Sequence, residues 1–366
     1  MLEPKSIDEV QEAVRGCEAL IPIAGNTKPA LTAVPDSFEQ ISMLGLSAVV
    51  EYEPSEFTIT VLAGTLLSDI QQVLSDQGQY LPFNPPLASA GATIGGTVAA
   101  GLSGPGAYRF GPIRDFLIGV RYVDCDGRAI TGGGKVVKNA AGFDTPKFLI
   151  GSLGRLGVLV ELSFKVFPEP ETRSTFSIEV RDSQHATELI AQLSRSTFDL
   201  EALDYIADAQ VVCGRLAGNA EAIEKRLRRI DESLDLSNHI TVLNPFEADA
   251  FWRQQVDFSW IDQDLALAKF AVTPSSISEL DPLLQKHNCK RHYSIGGNVA
   301  WVNAPIDLLA RDDVFQVPGL LIRNPDLDGS LWTSPPEQVF KIQNALKHAL
   351  DAPEKFPPLF DSPSSV

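Results

Sequence analysis

Residues 91–115 read GATIGGTVAAGLSGPGAYRFGPIRD, and residues 151–158 read GSLGRLGV. The interval from Gly91 to Gly157 holds 16 of the chain's 27 glycines. Glycine adopts positive φ at little cost and lets the main chain approach a ligand closely. This density therefore predicts main chain wrapped around a large, phosphorylated ligand.

Two other interpretations of the glycine-rich interval fail. Residues 77–108 carry no charge, but four prolines and many small polar residues interrupt the run, which argues against a membrane span. A disordered linker is disfavoured because Ile94, Val98 and Leu102 recur at helical spacing and residues 116–123 (FLIGVRYV) read as a strand. We expect ordered structure.

The common phosphate-binding fingerprints are absent. Gly134-Lys135 is followed by Val136, where a P-loop needs serine or threonine. Residues 20–28 (LIPIAGNTK) contain one glycine, whereas a Rossmann turn needs three. The sequence thus shows no nicotinamide-binding motif.

A series of motifs across residues 1–170 resembles the FAD-binding domain of the vanillyl-alcohol oxidase and p-cresol methylhydroxylase (PCMH) type. Residues 22–28 (PIAGNTK) are similar to the family's P-x-G-G-G-S/T-K loop, whose amides hold the FAD pyrophosphate, although Ala24 and Asn26 replace two glycines. Residues 63–70 (AGTLLSDI) resemble its A-G-x-x-L-x-x-I/L pattern, and residues 93–105 its T-I-G-G run ending in S-G-P. An ordinary strand-end turn is the alternative for residues 22–28.

Within this superfamily the chain most resembles the E subunits of bacterial glycolate oxidases. Residues 138–144 (KNAAGFD) are similar to their V-K-N-V-A-G-Y/F-D run, residues 109–115 to R-x-G-x-x-R-D, and residues 151–158 to G-S-x-G-x-L-G-V/I. The resemblance implies an α+β fold, with a two-lobed PCMH-type FAD-binding domain followed by an α+β cap domain. It also implies that the N-terminal amides of a helix beginning at Thr93 face phosphate or flavin.

The resemblance implies an FAD site made of short loops and one helix start. Its expected residues are Ala24, Gly25, Asn26, Thr27, Lys28, Pro86, Thr93, Gly95, Gly96, Ala99, Ser103, Gly104, Arg109, Arg114, Asp115, Lys138, Asn139, Gly142, Asp144, Gly157 and Val158. All five histidines lie beyond residue 170, so none is available in this domain for an 8α-histidyl link. We expect non-covalent FAD.

The cap carries fainter marks of the same subfamily. Residues 295–302 (IGGNVAWV) resemble G-G-A-x-R-W-L with Ala300 in place of arginine, and residues 320–323 (LLIR) resemble T-L-F-R. The H-x-G-D-G-N-x-H run of related catalytic subunits is absent. The catalytic residues stay unassigned: Arg323 and His292 are candidates for binding a carboxylate and accepting a proton, with a structural role as the alternative for each, and core packing is expected for Trp301.

We expect three parts in the chain: a PCMH-type domain over residues 1–170, a cap over residues 171–340, and a closure segment with a frayed tail over residues 341–366. The proline-rich residues 167–171 (FPEPE) mark the first boundary. In the cap, the patterns predict strands over 175–180 and 201–205 and helices over 184–193 and 219–234. Residues 346–358 resemble the family's closing L-K-x-x-F-D-P-x-x-x-F-N-P motif without its asparagine.

Composition limits the partners. The 366 residues are 44% hydrophobic and 21% charged with a net charge of −17, which disfavours nucleic acid and anionic membranes as partners. Residues 1–101 carry a net charge of −9 and residues 102–170 one of +3, so the most glycine-rich part best suits phosphates or a carboxylate. An accident of surface composition is the alternative.

The four cysteines form no C-x-x-C pair, so neither an iron–sulfur nor a zinc site is expected. Ser6 and Glu9 are spaced as a helix capping box rather than within a signal peptide, which favours a cytoplasmic protein, with membrane association through partners left open. The resemblance implies hydride transfer from a 2-hydroxy acid to flavin, a catalytic flavoprotein sister and an iron–sulfur sister. A self-sufficient FAD-dependent oxidoreductase acting on another alcohol and a non-catalytic FAD-binding assembly subunit are the alternatives.

Overall fold

The computed structural model describes residues 1–134, 144–233, 240–311, 313–315, 317–326, 331–333 and 337–359. The strands, numbered along the chain, are β1 (Leu20–Ile23), β2 (Glu39–Ser42), β3 (Val49–Glu53), β4 (Thr58–Leu62), β5 (Gln79–Tyr80), β6 (Leu117–Val123), β7 (Ala129–Gly133), β8 (Val158–Lys165), β9 (Phe167–Pro168), β10 (Thr172–Glu179), β11 (Ala202–Ile206), β12 (Val211–Gly218), β13 (Thr241–Val242), β14 (Ala266–Ala271), β15 (Lys290–Ser294), β16 (Val299–Ala304) and β17 (Gly319–Arg323). The helices are α1 (Ile7–Gly16), α2 (Leu67–Ser75), α3 (Ile94–Ala100), α4 (Ala107–Phe110), α5 (Thr145–Leu149), α6 (Ser183–Ser194), α7 (Ala220–Ser233), α8 (Pro245–Asp257), α9 (Ile277–Lys286), α10 (Ile306–Leu309) and α11 (Glu337–Leu350).

The first sheet has the order β3-β4-β8-β6-β7 with antiparallel neighbours throughout. Its alternating apolar side chains, such as Ile59 and Leu162, pack against Leu74 of α2 and Val98 of α3 in one core. Strands β1 and β2 form a separate, two-stranded parallel sheet that precedes the glycine-rich segment in the chain. The predicted strand over 116–123 and the predicted helix around Thr93 are present as β6 and α3.

The second sheet has the order β13-β10-β12-β11-β15-β16-β14-β17, again antiparallel. One face buries Phe176, Tyr205 and Phe270 against α6 and α9. The other face carries Leu267, Trp301 and Leu320, which belong to the same core as Val98 of the first sheet's layer. The second sheet therefore lies with one face on its own helices and one face on the first half of the chain.

The cap's predicted elements are present as β10, α6, β11 and α7, so its α+β architecture is as expected. Helix α11 returns to the first half of the chain, where the Cys125 thiol donates to the Leu350 carbonyl at 3.2 Å. Among the described helices, none combines the length and the apolar character needed to cross a membrane.

The amino-terminal helix begins where its capping pattern predicts, with one difference. The Ser6 hydroxyl accepts from the Glu9 amide at 3.2 Å, but the Glu9 carboxylate accepts from the amide of Lys5, at 2.8 Å. The reciprocal bond is thus displaced by one residue. Helix α1 then buries Val10 and Val14 against β1 and β2.

Candidate cofactor site

A cavity opens between the loop that follows β1 and one side of α3. The space that its walls enclose, including the part open to solvent, is about 700 Å³. Three short segments supply most of the wall, and single residues from elsewhere complete it. The lining residues are Pro22, Ile23, Ala24, Gly25, Asn26, Thr27, Lys28, Leu31, Thr32, Met43, Ala63, Thr93, Gly95, Gly96, Ala99, Ala100, Leu153, Gly154 and Leu159.

The loop Ala24–Lys28 presents unpaired main-chain donors to this cavity. None of the described residues accepts a hydrogen bond from the amides of Gly25, Asn26 or Thr27. Asn26 has φ +45, a conformation that asparagine tolerates better than most residues. A Cβ on Gly25 would lie 2.0 Å from the Gly91 carbonyl oxygen, so this position admits only glycine. Such successive free amides suit the oxygens of a pyrophosphate.

Lys28 places an ammonium group in the same wall. Its side chain is 7% exposed, and its Nζ donates to the Thr27 hydroxyl at 2.9 Å. Burial lowers the pKa of Lys28 to about 8, because no carboxylate among the described residues offsets the loss of water. A bound phosphate would stabilise the protonated, positively charged form of Lys28. The free amides and this lysine therefore both fit an anionic ligand.

The start of α3 differs from expectation. Thr93 caps the helix, accepting from the Gly96 amide at 3.2 Å. The Ile94 and Gly95 amides donate to carbonyl oxygens of Thr65 and Ala63, at 3.0 and 2.8 Å, so they are not free for phosphate. The expectation that these amides bind phosphate or flavin was wrong, because a neighbouring turn distant in sequence takes them.

Gly95 and Gly96 both line the cavity but serve it differently. A Cβ on Gly95 would lie 2.7 Å from the Cβ and the carbonyl oxygen of Ala63. A Cβ on Gly96 would meet only the Thr93 hydroxyl, at 3.2 Å. Gly95 thus allows α3 to pack on the chain after β4, whereas Gly96 leaves open space for a ligand.

The structure brings together nine of the residues expected at FAD. These are Ala24, Gly25, Asn26, Thr27, Lys28, Thr93, Gly95, Gly96 and Ala99. The described residues of the expected set that do not line the cavity are Pro86, Ser103, Gly104, Arg109, Arg114, Asp115, Asp144, Gly157 and Val158. Lys138, Asn139 and Gly142 lie outside the described residues.

Several of the expected residues outside the cavity make contacts within the protein. The Ser103 hydroxyl accepts from the Ile113 amide at 2.9 Å. Arg109 pairs with Asp199 of the cap at 2.6 Å, so it joins the two halves of the chain. Asp144 caps α5 and pairs with Lys147 at 2.5 Å.

The remaining ones divide between core and surface. Val158 begins β8 and is fully buried in the core beside α1, directly after Gly157. Pro86 is buried, whereas Arg114 and Asp115 are exposed.

The two catalytic candidates lie apart from the cavity. The His292 Nε2 lies 2.9 Å from the buried Asp204 carboxylate, and its Nδ1 is buried with no hydrogen-bond partner among the described residues. His292 is 2% exposed, with its ring beside that of Trp260. Arg323 donates to the Gln263 carbonyl at 3.2 Å. Neither lines the cavity.

The cap motif around Trp301 also has a structural explanation. Trp301 is 5% exposed and packs on Phe258 with ring centroids 4.7 Å apart, as expected for a core residue. Ala300 is fully buried on the other face of the sheet, where its cross-strand neighbours are Tyr293 and Phe270. Because neighbouring strand residues alternate faces, an arginine at position 300 would point toward α6 and α9 rather than toward the cavity's half of the chain.

Sequence reasoning did not identify Lys269, on β14. Its cross-strand neighbours are Trp301 and Leu320, both on the face that packs against the first half of the chain. Burial lowers the pKa of Lys269, and no described residue accepts a hydrogen bond from it. A lysine in an alternating strand looks solvent-exposed from sequence, so only the strand pairing shows where it faces.

The sequence also did not predict several other residues that line the cavity. Leu31, Thr32, Met43 and Leu159 line the cavity. Met43 follows β2 and Leu159 lies in β8, so chain segments far apart in sequence meet here. No local pattern marks such residues, because their role depends on the tertiary fold.

Comparison with known proteins gives a family match for the first third of the chain and several relatives. Residues 1–133 match the family described as FAD binding domain. The glycolate oxidase subunit GlcE of Escherichia coli (strain K12) is 34% identical over 218 residues, which cover 60% of this chain and 61% of that protein. The glycolate oxidase subunit GlcD of Bacillus subtilis (strain 168) is 28% identical over 48% of this chain and 38% of its own length.

A third relative is D-2-hydroxyglutarate dehydrogenase of Stutzerimonas stutzeri (strain A1501), 28% identical over 56% of this chain and 45% of that protein. The chain thus matches less than two thirds of the length of each of these three relatives.

Solved structures share the fold at low sequence identity. Alkyldihydroxyacetonephosphate synthase superposes with a TM-score of 0.70 at 16% identity, covering 97% of this chain and 76% of that one. p-Cresol methylhydroxylase superposes with a TM-score of 0.66 at 12% identity, covering 96% and 86%. The expected PCMH-type fold is confirmed.

Proposed function

We propose that this chain, which carries an FAD binding domain over residues 1–133, is the FAD-binding subunit of a complex that oxidises a 2-hydroxy acid to a 2-oxo acid. The cavity beside the loop Ala24–Lys28 carries the proposal, because its unpaired amides and buried lysine suit a dinucleotide's pyrophosphate. Relatives named as glycolate oxidase subunits and as a D-2-hydroxyglutarate dehydrogenase support the substrate class.

Bound FAD supplies the acceptor for the hydride that leaves the substrate's α-carbon. The chain's own contribution is to bind and orient. The loop Ala24–Lys28 would hold the cofactor's phosphates, and Lys269 would provide a cation for the substrate carboxylate. Lys269 does not line the cavity, but it lies beside Trp301 and Leu320 on the cap face that packs against the FAD domain, and no described residue accepts a hydrogen bond from it.

A variant of Lys269 tests the substrate-binding role. In the complex, Lys269→Met should raise KM for the 2-hydroxy acid at least tenfold, because a desolvated charge–carboxylate contact is lost, and should leave the FAD content unchanged. Lys286→Met, an exposed lysine on α9, is the matched control. An unchanged KM in Lys269→Met would exclude the assignment.

A non-catalytic, FAD-binding role within the complex is the second candidate. It is favoured by one observation: among the described residues, those that line the cavity include no histidine or carboxylate that could accept the hydroxyl proton. In that case the sister flavoprotein performs the oxidation. The self-sufficient oxidoreductase acting on another alcohol predicts the opposite behaviour of the isolated chain.

The electron outlet is proposed to lie in partner subunits, including an iron–sulfur subunit. The four cysteines are all free, and no group of three metal-ligating side chains occurs within the described ranges. Anaerobic visible spectra of the FAD-loaded chain, recorded before and after adding glycolate or D-lactate, separate the candidates. Reduction of FAD needs no electron outlet, so bleaching of the chain alone would assign the oxidation to its own flavin, and bleaching only after co-expression would assign it to the sister flavoprotein. We expect sustained turnover only after co-expression with the partner subunits. Rapid turnover by the isolated chain, with no partner in pull-downs, would favour the self-sufficient enzyme.

A further inference from the structure

The C-terminal segment is joined to the back of the cofactor cavity through one buried lysine. Lys347, on α11, is 8% exposed, and its ammonium group donates to the Arg155 carbonyl at 2.6 Å, to Asp351 Oδ2 at 2.5 Å and to the Phe356 carbonyl at 2.9 Å. These three acceptors use all of its protons. The ammonium group is therefore fully bonded inside the protein.

Asp351 completes this cluster. Its side chain is fully buried, and it also accepts from the amides of Lys355, at 2.9 Å, and Phe356, at 2.8 Å. The carboxylate thus folds the chain after α11 back onto the lysine. We call Lys347, Asp351 and residues 355–358 the C-terminal latch.

The C-terminal latch is hydrogen-bonded to residues that adjoin two walls of the cavity. Arg155, whose carbonyl accepts from Lys347 and whose guanidinium donates to the Pro358 carbonyl, directly follows the lining residues Leu153 and Gly154. On the other side, the Leu20 amide donates to the Lys355 carbonyl at 2.8 Å, and Leu20 begins β1, which leads into the lining loop. The two walls meet at Gly154, where an added Cβ would lie 2.7 Å from Pro22 Cγ.

We propose that Lys347 is a positioning residue for the cofactor: through Arg155 it holds the Leu153–Gly154 wall against the wall that follows β1. The C-terminal latch then contributes to FAD affinity without touching the ligand. The inference rests on FAD binding and is independent of the proposed substrate. Removing the ammonium group leaves Asp351 as a buried carboxylate without its counter-ion and frees the Arg155 carbonyl, so the wall loses its anchor.

Two variants separate positioning from general stability. Lys347→Met should weaken FAD binding at least tenfold. The double variant Lys347→Met/Asp351→Asn removes both buried charges and keeps a side-chain carbonyl that can accept from a main-chain amide, so the melting temperature of the apoprotein should recover in part while FAD affinity stays weak. Glu354→Gln, an exposed position in the same segment, is the control and should bind FAD like the wild type. Wild-type affinity in Lys347→Met, or recovery of affinity together with stability in the double variant, would overturn the proposal.

Hydrogen exchange on the wild-type chain tests the same coupling without a substitution. If the C-terminal latch positions the cavity wall, FAD must in turn stabilise the latch, because coupling between two sites is reciprocal. We expect a peptide spanning residues 346–359 to exchange more slowly after FAD is added, with a smaller change in a peptide covering β12. Unchanged exchange in the latch peptide at saturating FAD would refute the proposal. No substrate enters either experiment, so their outcome is separate from that of the proposed oxidation.

Discussion

Gly96 leaves space in the cavity that a side chain would fill. Its added Cβ would lie 3.2 Å from the Thr93 hydroxyl, a tight contact that a shift of a few tenths of an ångström in this side chain relieves, and it would meet no main-chain atom of another segment. We therefore expect Gly96→Val to fold but to lose FAD binding, measured as flavin retained after purification and by fluorescence titration of the apoprotein.

Two other glycines provide the comparison for Gly96→Val. Gly16→Val, at the end of α1, introduces the same side chain where a Cβ has no neighbour within 4 Å, and should bind FAD normally. Gly95→Val should instead impair folding, because its Cβ would lie 2.7 Å from the main chain of Ala63. Stoichiometric FAD in purified Gly96→Val would place the cofactor elsewhere.

The Lys28 ammonium group should make FAD binding depend on pH. Because burial lowers its pKa to about 8, the free site loses its positive charge above that pH, whereas bound phosphates favour the protonated form. The dissociation constant for FAD should therefore rise between pH 8 and 9, by up to about tenfold per pH unit. Fluorescence titrations at pH 7, 8 and 9 measure this slope.

Lys28→Met should bind FAD more weakly at pH 7 and show no such slope, while Lys286→Met should retain it. The stability of the apoprotein changes in the opposite direction. Between pH 8 and the ordinary lysine value of 10.5, the unfolded chain binds more protons at position 28, so this residue makes folding more favourable as pH rises. Equal pH slopes in wild type and Lys28→Met would contradict the assignment.

At the scale of elements, the turn between β15 and β16 depends on a buried carboxylate. Asp204 accepts from the Ser294 hydroxyl, from the Ile295 amide at 3.1 Å and from His292. Ile295 has φ +57, a strained conformation for a β-branched residue that this amide bond helps to hold. Asp204→Leu should lower the free energy of unfolding by about 3 kcal/mol or more, because two buried donors and one half-buried donor lose their acceptor. Urea titration of the apoprotein measures it.

The exposed pair Arg109–Asp199 is the matched comparison. Its two side chains are 32% and 57% exposed, so water and salt screen their attraction. Asp199→Asn should lower the free energy of unfolding by less than about 1 kcal/mol. An Asp204→Leu effect as small as that of Asp199→Asn would mean that the buried carboxylate does not hold the turn.

The spacing of apolar residues in the sequence correctly predicted individual strands and helices. Alternation over residues 116–123 predicted β6, and the spacing of Ile94 and Val98 predicted α3. It failed for the donors at the start of α3, because the acceptors are the carbonyls of Ala63 and Thr65, about thirty residues earlier in the chain. Hydrogen bonds between distant segments leave no local signal.

For the whole molecule, the sequence located the loop Ala24–Lys28 and the glycines of α3, which the structure places around one cavity. It could not locate Lys269, whose direction depends on the pairing of β14 with β16 and β17. The motif residue Arg109 shows the converse, since it joins the cap rather than the cavity. The domain limits of 1–170, 171–340 and 341–366 stay a prediction.

We expect one FAD to bind this chain without a covalent bond. Within the part of the chain that the structure describes, no histidine, cysteine or tyrosine lines the cavity, so this wall offers none of these groups for attachment. The most direct measurement is to precipitate the purified, FAD-loaded chain with acid and quantify flavin in the supernatant and in the pellet. We predict one FAD per chain, all in the supernatant, above a colourless pellet. Yellow colour that stays with the polypeptide, or a folded chain that binds no flavin, would contradict the claim.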